Sequence, residues 1–174
     1  KWDTSSVVDM SGMFYDCVEF NADISNWDVS SVRDMSFMFY SSRKPRTILE
    51  SERDPVTERM VYTEVESYVK TNFNQNLNKW NVRSVMDMTA MFMNSDDFNG
   101  TISNWKTESV RSFKNMFHYA QSFNCNISLW DMQSAVDVSQ MFSQTIFNQD
   151  ISQWNLQNVI NASHMFYQNS NFNQ

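Results

Sequence analysis

The sequence predicts an α/β repeat solenoid with one short parallel strand and one short helix in each unit of about 25 residues. Three observations carry this. Tryptophan recurs at Trp2, Trp27, Trp80, Trp105, Trp130 and Trp154, evenly spaced except for one interval about twice the others. A Met-Phe pair recurs as Met13-Phe14, Met38-Phe39, Met91-Phe92, Met116-Phe117, Met141-Phe142 and Met165-Phe166. A Phe-Asn pair follows each of them, at Phe20-Asn21, Phe73-Asn74, Phe98-Asn99, Phe123-Asn124, Phe147-Asn148 and Phe172-Asn173. The unit reads W-x-V/T-x-S-V-x-D-M-S-x-M-F-x5-F-N-x-x-I-S-x-W. The long interval, from Trp27 to Trp80, is one period plus an insertion. All 174 residues are therefore expected to form one segment of about six repeats, cut at both ends, with the insertion at residues 43–70 inside the second repeat.

Each stretch of the unit suggests its own local structure. Ser6–Asp9, Ser31–Asp34, Ser84–Asp87 and Ser134–Asp137 resemble capping boxes in which Asp replaces the usual Glu or Gln. Apolar residues follow at i, i+3, i+6 and i+7, as in Val32, Met35, Met38 and Phe39. That spacing predicts one face of a helix of two to three turns. After a bend, Phe-Asn leads into pieces such as Asp23–Trp27, read as the short strand because Ile and Trp favour extended backbone. Such a unit cannot cover its own apolar face, but neighbours stacked on it can. Strands about 4.8 Å apart and helices about twice as thick predict a curved stack, helices on the convex side. The aligned Asn21, Asn74, Asn99, Asn124, Asn148 and Asn173 predict a buried asparagine ladder bonding backbone groups in the bends.

Composition narrows the function. Against 20 Asp and Glu stand 13 Lys and Arg, so nucleic acid is not an expected partner. The 14 Phe, 13 Met and 6 Trp promise a core of large, adaptable side chains rather than a cofactor box. No apolar run is long enough to span a bilayer, so no direct membrane insertion by this segment is expected. No phosphate loop, zinc-protease helix or nucleophile elbow occurs, and the chain reads as a non-enzyme without cofactor or metal. His118 and His164 occupy different repeat positions and read as exposed surface residues, while Cys17 and Cys125 lie several coils apart, too far to bridge. The row Asp9, Asp34, Asp87 and Asp137 could bind calcium, but capping already accounts for it. Three glycosylation sequons, at Asn99, Asn126 and Asn161, each fall at a position that the repeat itself explains.

The units "WDVSSVRDMSFMFY", "FNADISNWDVSSV" and "FNQDISQW" resemble the BspA-like surface-protein repeats, leucine-rich-like units grouped as DUF285. The resemblance spans all six units. It implies a right-handed, leucine-rich-repeat-like coil stack, a surface-exposed or secreted setting, and a role in adhesion or protein binding. It brings no catalytic residues. The unit Trp105–Asn126 departs most from the pattern, with Ser112 for the Asp and Phe113 for the first Met.

The insertion, "RKPRTILESERDPVTERMVYTEVESYVK", holds six basic and six acidic residues, so the −7 net charge belongs to the repeats. Its mixture of β-branched, aromatic and Glu residues is compatible with a hairpin or a short helix. It is either a solvated excursion or a docking arm, with Arg43, Lys44, Arg46, Arg59, Tyr62 and Tyr68 as candidate partner-binding residues. On the repeats, the variable positions before each Trp, Asn26, Lys79, Asn104, Leu129 and Gln153, are the candidate binding face for a protein or glycan. The expected function is a protein-interaction or surface-adhesion module, extracellular or at the cell surface. The alternative is an architectural subunit or spacer of a large intracellular or viral assembly, docking through its insertion and open ends onto more of its own chain or neighbouring subunits.

Overall fold

The computed structural model describes residues 2–43, 45–55 and 57–174, with the side chains of 46–50 and 66 excepted. Its six coils begin at the six tryptophans and lie one on the next. Parallel bridges join Asp9 to Asp34, Asp34 to Asp87, Asp87 to Ser112, Ser112 to Asp137 and Asp137 to Asn161. The only extended strands among the described residues belong to the insertion. These are β1 (Pro45–Arg53) and β2 (Met60–Tyr68), paired antiparallel with Pro45 opposite Tyr68 and Arg53 opposite Met60.

The expected α/β unit is overturned: among the described residues there is no helix, and the Asp23–Trp27 piece is a turn, not a strand. The helix reading failed at the backbone. In the third coil, Met91, Met93 and Ser95 donate their N–H to the carbonyls three residues back. The alternate residues Met88, Ala90, Phe92 and Asn94 donate instead to Ser112, Lys114, Met116 and His118 of the next coil, at 2.8–3.0 Å. A helix would keep every one of these N–H groups within the segment. This segment is a chain of overlapping turns whose alternate amides leave for the neighbour. Left-handed residues make the turns possible: Gly12, Phe37, Ala90, Asn115, Gln140 and His164 share one repeat position with φ between 53° and 60°. A residue at positive φ is what the third position of a type II turn requires. Without helices, the thickness mismatch behind the predicted curvature also disappears.

The apolar positions nevertheless point inward. Val32, Met35, Met38 and Phe39 are all buried, because overlapping turns and a helix both return side chains every third or fourth residue. The core is a column of rings. Phe14, Phe39, Phe92, Phe117, Phe142 and Phe166 stack from coil to coil with centroids 5.3–5.8 Å apart. Phe20, Phe73, Phe98, Phe123, Phe147 and Phe172 form a second row at 5.8–6.3 Å. Within each coil the two rows meet face to face at 3.7–4.0 Å. Intercoil distances above the roughly 4.8 Å of paired backbones show that the rings are offset, the arrangement their quadrupoles favour.

The tryptophans add a polar seam. The indole N–H groups of Trp80, Trp105, Trp130 and Trp154 donate to the carbonyls of Ile24, Leu77, Ile102 and Ile127 at 2.9–3.2 Å. In each case the acceptor lies three residues before the preceding tryptophan. A buried N–H without a partner would cost about 1–3 kcal/mol, and this geometry supplies one for each of these four indoles.

Candidate interaction surface

Three rows of polar side chains lie along the stack, and the structure assigns each a job. The serines of the expected capping boxes do not cap. Ser31, Ser84 and Ser134 donate their hydroxyls to the carbonyls of Ser5, Ser30 and Glu108, each on the coil before, at 2.6–2.8 Å. Asp9, Asp34, Asp87 and Asp137 face forward and accept the N–H two residues on, from Ser11, Ser36, Thr89 and Ser139. This is an Asx turn, and the Asp-x-Ser spacing was its signal in the sequence. With no helix there is no start to cap, so the capping-box reading is withdrawn. The same device recurs at Asp3, Asp23, Asp28 and Asp150. The serine hydroxyl and N–H hold the carboxyls of Asp3, Asp9, Asp23 and Asp28 below the ordinary range, and at Asp150 the N–H of Ser152 leads. Their contribution to stability is in place above the usual carboxylate pKa and is lost as pH falls through the depressed one. Among the described residues no group of three His, Cys, Asp or Glu converges to hold a metal ion.

The asparagine row is joined but not buried. The side-chain carbonyl of Asn21 accepts the N–H of Asn74, and the pattern continues through Asn99, Asn124, Asn148 and Asn173 at 2.8–3.1 Å. Asn124 and Asn148 are half-buried; the other four are exposed. Gln75, Gln149 and Gln174 reach back to the preceding asparagine as a second donor. The row lies at the rim of the ring column, where its oxygens are occupied by backbone and its faces meet solvent.

The candidate residues that immediately precede a tryptophan are all exposed, Leu129 at 74%. They stand in one row beside the indoles, and Lys79 donates to the Asn26 carbonyl oxygen on the neighbouring coil at 3.3 Å. Thus Asn26, Lys79, Asn104, Leu129 and Gln153 share a surface on which backbone and core repeat while the outward residue changes.

The insertion candidates separate into a base and an arm. Lys44 lies outside the described residues, as does the side chain of Arg46. Arg59, Tyr62 and Tyr68 are exposed on the hairpin. Arg43 is different. Its guanidinium forms an ion pair with the buried carboxylate of Asp96 and lies 4.5 Å from the centroid of the Tyr119 ring. Nearby, Asn94 donates to the Ser41 carbonyl at 2.6 Å, and Ser42 donates through both N–H and hydroxyl to Asp16. On the return side Asn72 donates to the Val18 carbonyl and to Glu19. The base of the arm is therefore tied to coils on both sides of the one that carries it. Sequence reading placed Arg43 with a partner and missed Asp96 and Tyr119, which lie one and two coils further along and belong to no repeat row.

His118 is half-buried beside this base, not exposed as expected, and its Nδ1 has no hydrogen-bond partner among the described residues. Burial, with a smaller push from the Arg43 guanidinium, lowers its pKa. His164 is exposed. Cys17 and Cys125 are both free, the first exposed and the second half-buried, where burial pushes its thiol up. Of the sequon asparagines, Asn99 and Asn126 are exposed, while Asn161 is half-buried and donates to Asp137.

A family model described as a mycoplasma protein of unknown function, DUF285, matches residues 1–52 and 59–174. The chain belongs to this family. No curated protein and no solved structure matches it. Residues 53–58, between the two matched segments, coincide with the end of β1 and the turn of the hairpin. In this DUF285 chain the hairpin strands lie within the match except for Arg53, the last residue of β1. Among the described residues, no helix is long and apolar enough to cross a membrane.

Proposed function

We propose that this chain is a non-enzymatic interaction module that presents its coil surface to a protein or glycan at a cell surface. The observation that carries the reading is the row Asn26, Lys79, Asn104, Leu129 and Gln153. These five side chains, three amides, a lysine and a leucine, stand exposed at one repeat position, while the tryptophan beside each belongs to the repeated framework. A rigid scaffold that presents an outward row of varied side chains suits recognition, because ordering costs are met before the partner arrives. The polar groups elsewhere on the stack are largely spent on one another, as the serine, aspartate and asparagine rows show. Family membership is consistent with this reading and adds no substrate or partner.

The test is to replace all five residues by serine and compare binding of labelled chain to intact cells and to protein and glycan arrays. At least tenfold weaker binding with an unchanged melting temperature is the expected outcome. Equal binding by the two proteins would overturn the assignment of this face. The architectural reading makes a different forecast: the chain would be recovered only within a fixed assembly and would bind no soluble ligand.

A further inference from the structure

We propose that β2 is a docking strand for a basic, extended segment of another protein, which adds to the free edge of the hairpin as a third strand. The inference rests on the interaction-module reading and assigns it a second surface with a partner of defined chemistry.

The hairpin is a two-stranded sheet of nine-residue strands, so among the described residues each strand is paired along one side only. An unpaired strand edge is a row of donors and acceptors ready for another chain. Two-stranded hairpins are marginal alone, and a third strand is what usually completes them. This hairpin is nevertheless aimed. Its base is locked by Arg43 on Asp96 and Tyr119, by Ser42 on Asp16 and by Asn72 on Val18 and Glu19. A pre-oriented edge loses less freedom on binding than a loose one.

Charge selects the edge and the partner. β1 begins with Pro45, which has no N–H to offer, and its sequence mixes Arg46 and Arg53 with Glu50 and Glu52. β2 carries Glu64 and Glu66 and no Lys or Arg; the nearest basic residues, Arg59 and Lys70, lie outside its ends. Met60, Tyr62, Glu64 and Tyr68 are exposed and, at a spacing of two or a multiple of two, belong to one face of the strand. A partner strand with Lys or Arg at alternate positions would place its cations beside the Glu64 carboxylate and the Tyr62 and Tyr68 rings, which favour cations over their faces. The −7 charge of the coils, with the insertion itself balanced, draws such a segment in.

The same charges argue against a second copy of the chain. Antiparallel pairing of β2 with β2 about a two-fold axis, in the register that pairs all nine residues, sets Glu64 opposite Glu64. Like charges directly opposite destabilise a pair.

The test uses the whole chain and three labelled nine-residue peptides: alternating Lys and Val, alternating Glu and Val, and the Lys/Val peptide with a central proline. The Lys/Val peptide should bind at least about tenfold more tightly than either other peptide. It should also slow amide exchange in Val61–Tyr68 and leave Pro45–Arg53 unchanged. E64K/E66K should reverse the preference toward Glu/Val. Equal binding of the proline peptide would reduce the effect to charge alone and overturn strand addition. An unchanged preference in E64K/E66K, protection on β1 instead of β2, or self-association through the hairpin would each overturn it as well. Loss of peptide binding with the coil row still recognising cells would refute this inference alone. The converse would refute only the coil-face reading.

Discussion

The coil stack and the hairpin meet the same backbone requirement in opposite ways. Each internal coil sends alternate amides to the coil that follows it and buries its two stacked phenylalanine rings, as Phe92, Phe117 and Phe123 show. The hairpin pairs with itself across a short turn and leaves Met60, Val61, Tyr62 and Tyr68 in solvent. One region is stabilised by its neighbours, the other by its own turn and by the ties at its base. The insertion leaves the host coil undisturbed. Phe39 and Phe73, on either side of it, stack at 4.0 Å, against 3.8 Å for the uninterrupted Phe92 and Phe98. A coil tolerates an insertion longer than itself where the extra chain leaves and returns through the same bend.

That contrast is most sharply tested in the ring column. Phe117→Ala removes a fully buried ring that contacts rings on its own coil and on both neighbours, and should cost about 3–5 kcal/mol. Tyr62→Ala on the hairpin should stay within about 0.5 kcal/mol. Urea midpoints measure both; comparable losses would erase the distinction between the regions. Gly100→Ala comes next. A methyl group there would overlap the Gln75 carbonyl oxygen, so two coils must move apart, at about 1–3 kcal/mol. A neutral substitution in thermal melts would mean that coils slide past one another more easily than their ladder implies.

Asn124→Ala sets a finer limit. Its carbonyl oxygen accepts the Asn148 N–H at 2.9 Å and the Gln149 amide at 3.1 Å, but the site is half-buried, so water replaces part of what is lost. The expected cost is about 1 kcal/mol, below that of a fully buried ladder. The smallest effect concerns the hairpin base. The depressed His118 pKa means that the unfolded chain takes up its proton first as pH falls. Stability in place above about pH 6.5 is then lost progressively below it. His118→Met, which matches Met93 at the same position one coil earlier, should flatten the fall in melting temperature between about pH 7.5 and 5.5. An identical slope in both proteins would remove His118 from the account.

Much of this arrangement is legible in the residues. The tryptophan intervals locate every coil, and the Met-Phe and Phe-Asn pairs locate its rings. The inward stripe Val32, Met35, Met38 and Phe39 is buried as its spacing implies. The exposed row before the tryptophans could be picked out because those positions vary beside an invariant tryptophan. The conformation of Asp34–Ser41 could not. Its apolar spacing fits a helix and a run of turns equally well, and the segment is too short for its own propensity to decide. The Asp-x-Ser spacing that marks the Asx turns overlaps the Ser-x-x-Asp spacing of a capping box, so the local pattern fits either conformation. Arg43 and Asp96 had no pattern at all.

By itself, the order of residues determined the period, the inward and outward sides of each coil, and the point where the hairpin enters. Those follow from local spacing and from the burial of large apolar groups. Only the packed stack decided the backbone of the turns, the partners of Ser31, Ser84 and Ser134, and the anchoring of Arg43. Each of these depends on a carbonyl, carboxylate or ring belonging to another coil. A hydrogen bond to a neighbour can be chosen over one within the segment only once that neighbour is in place.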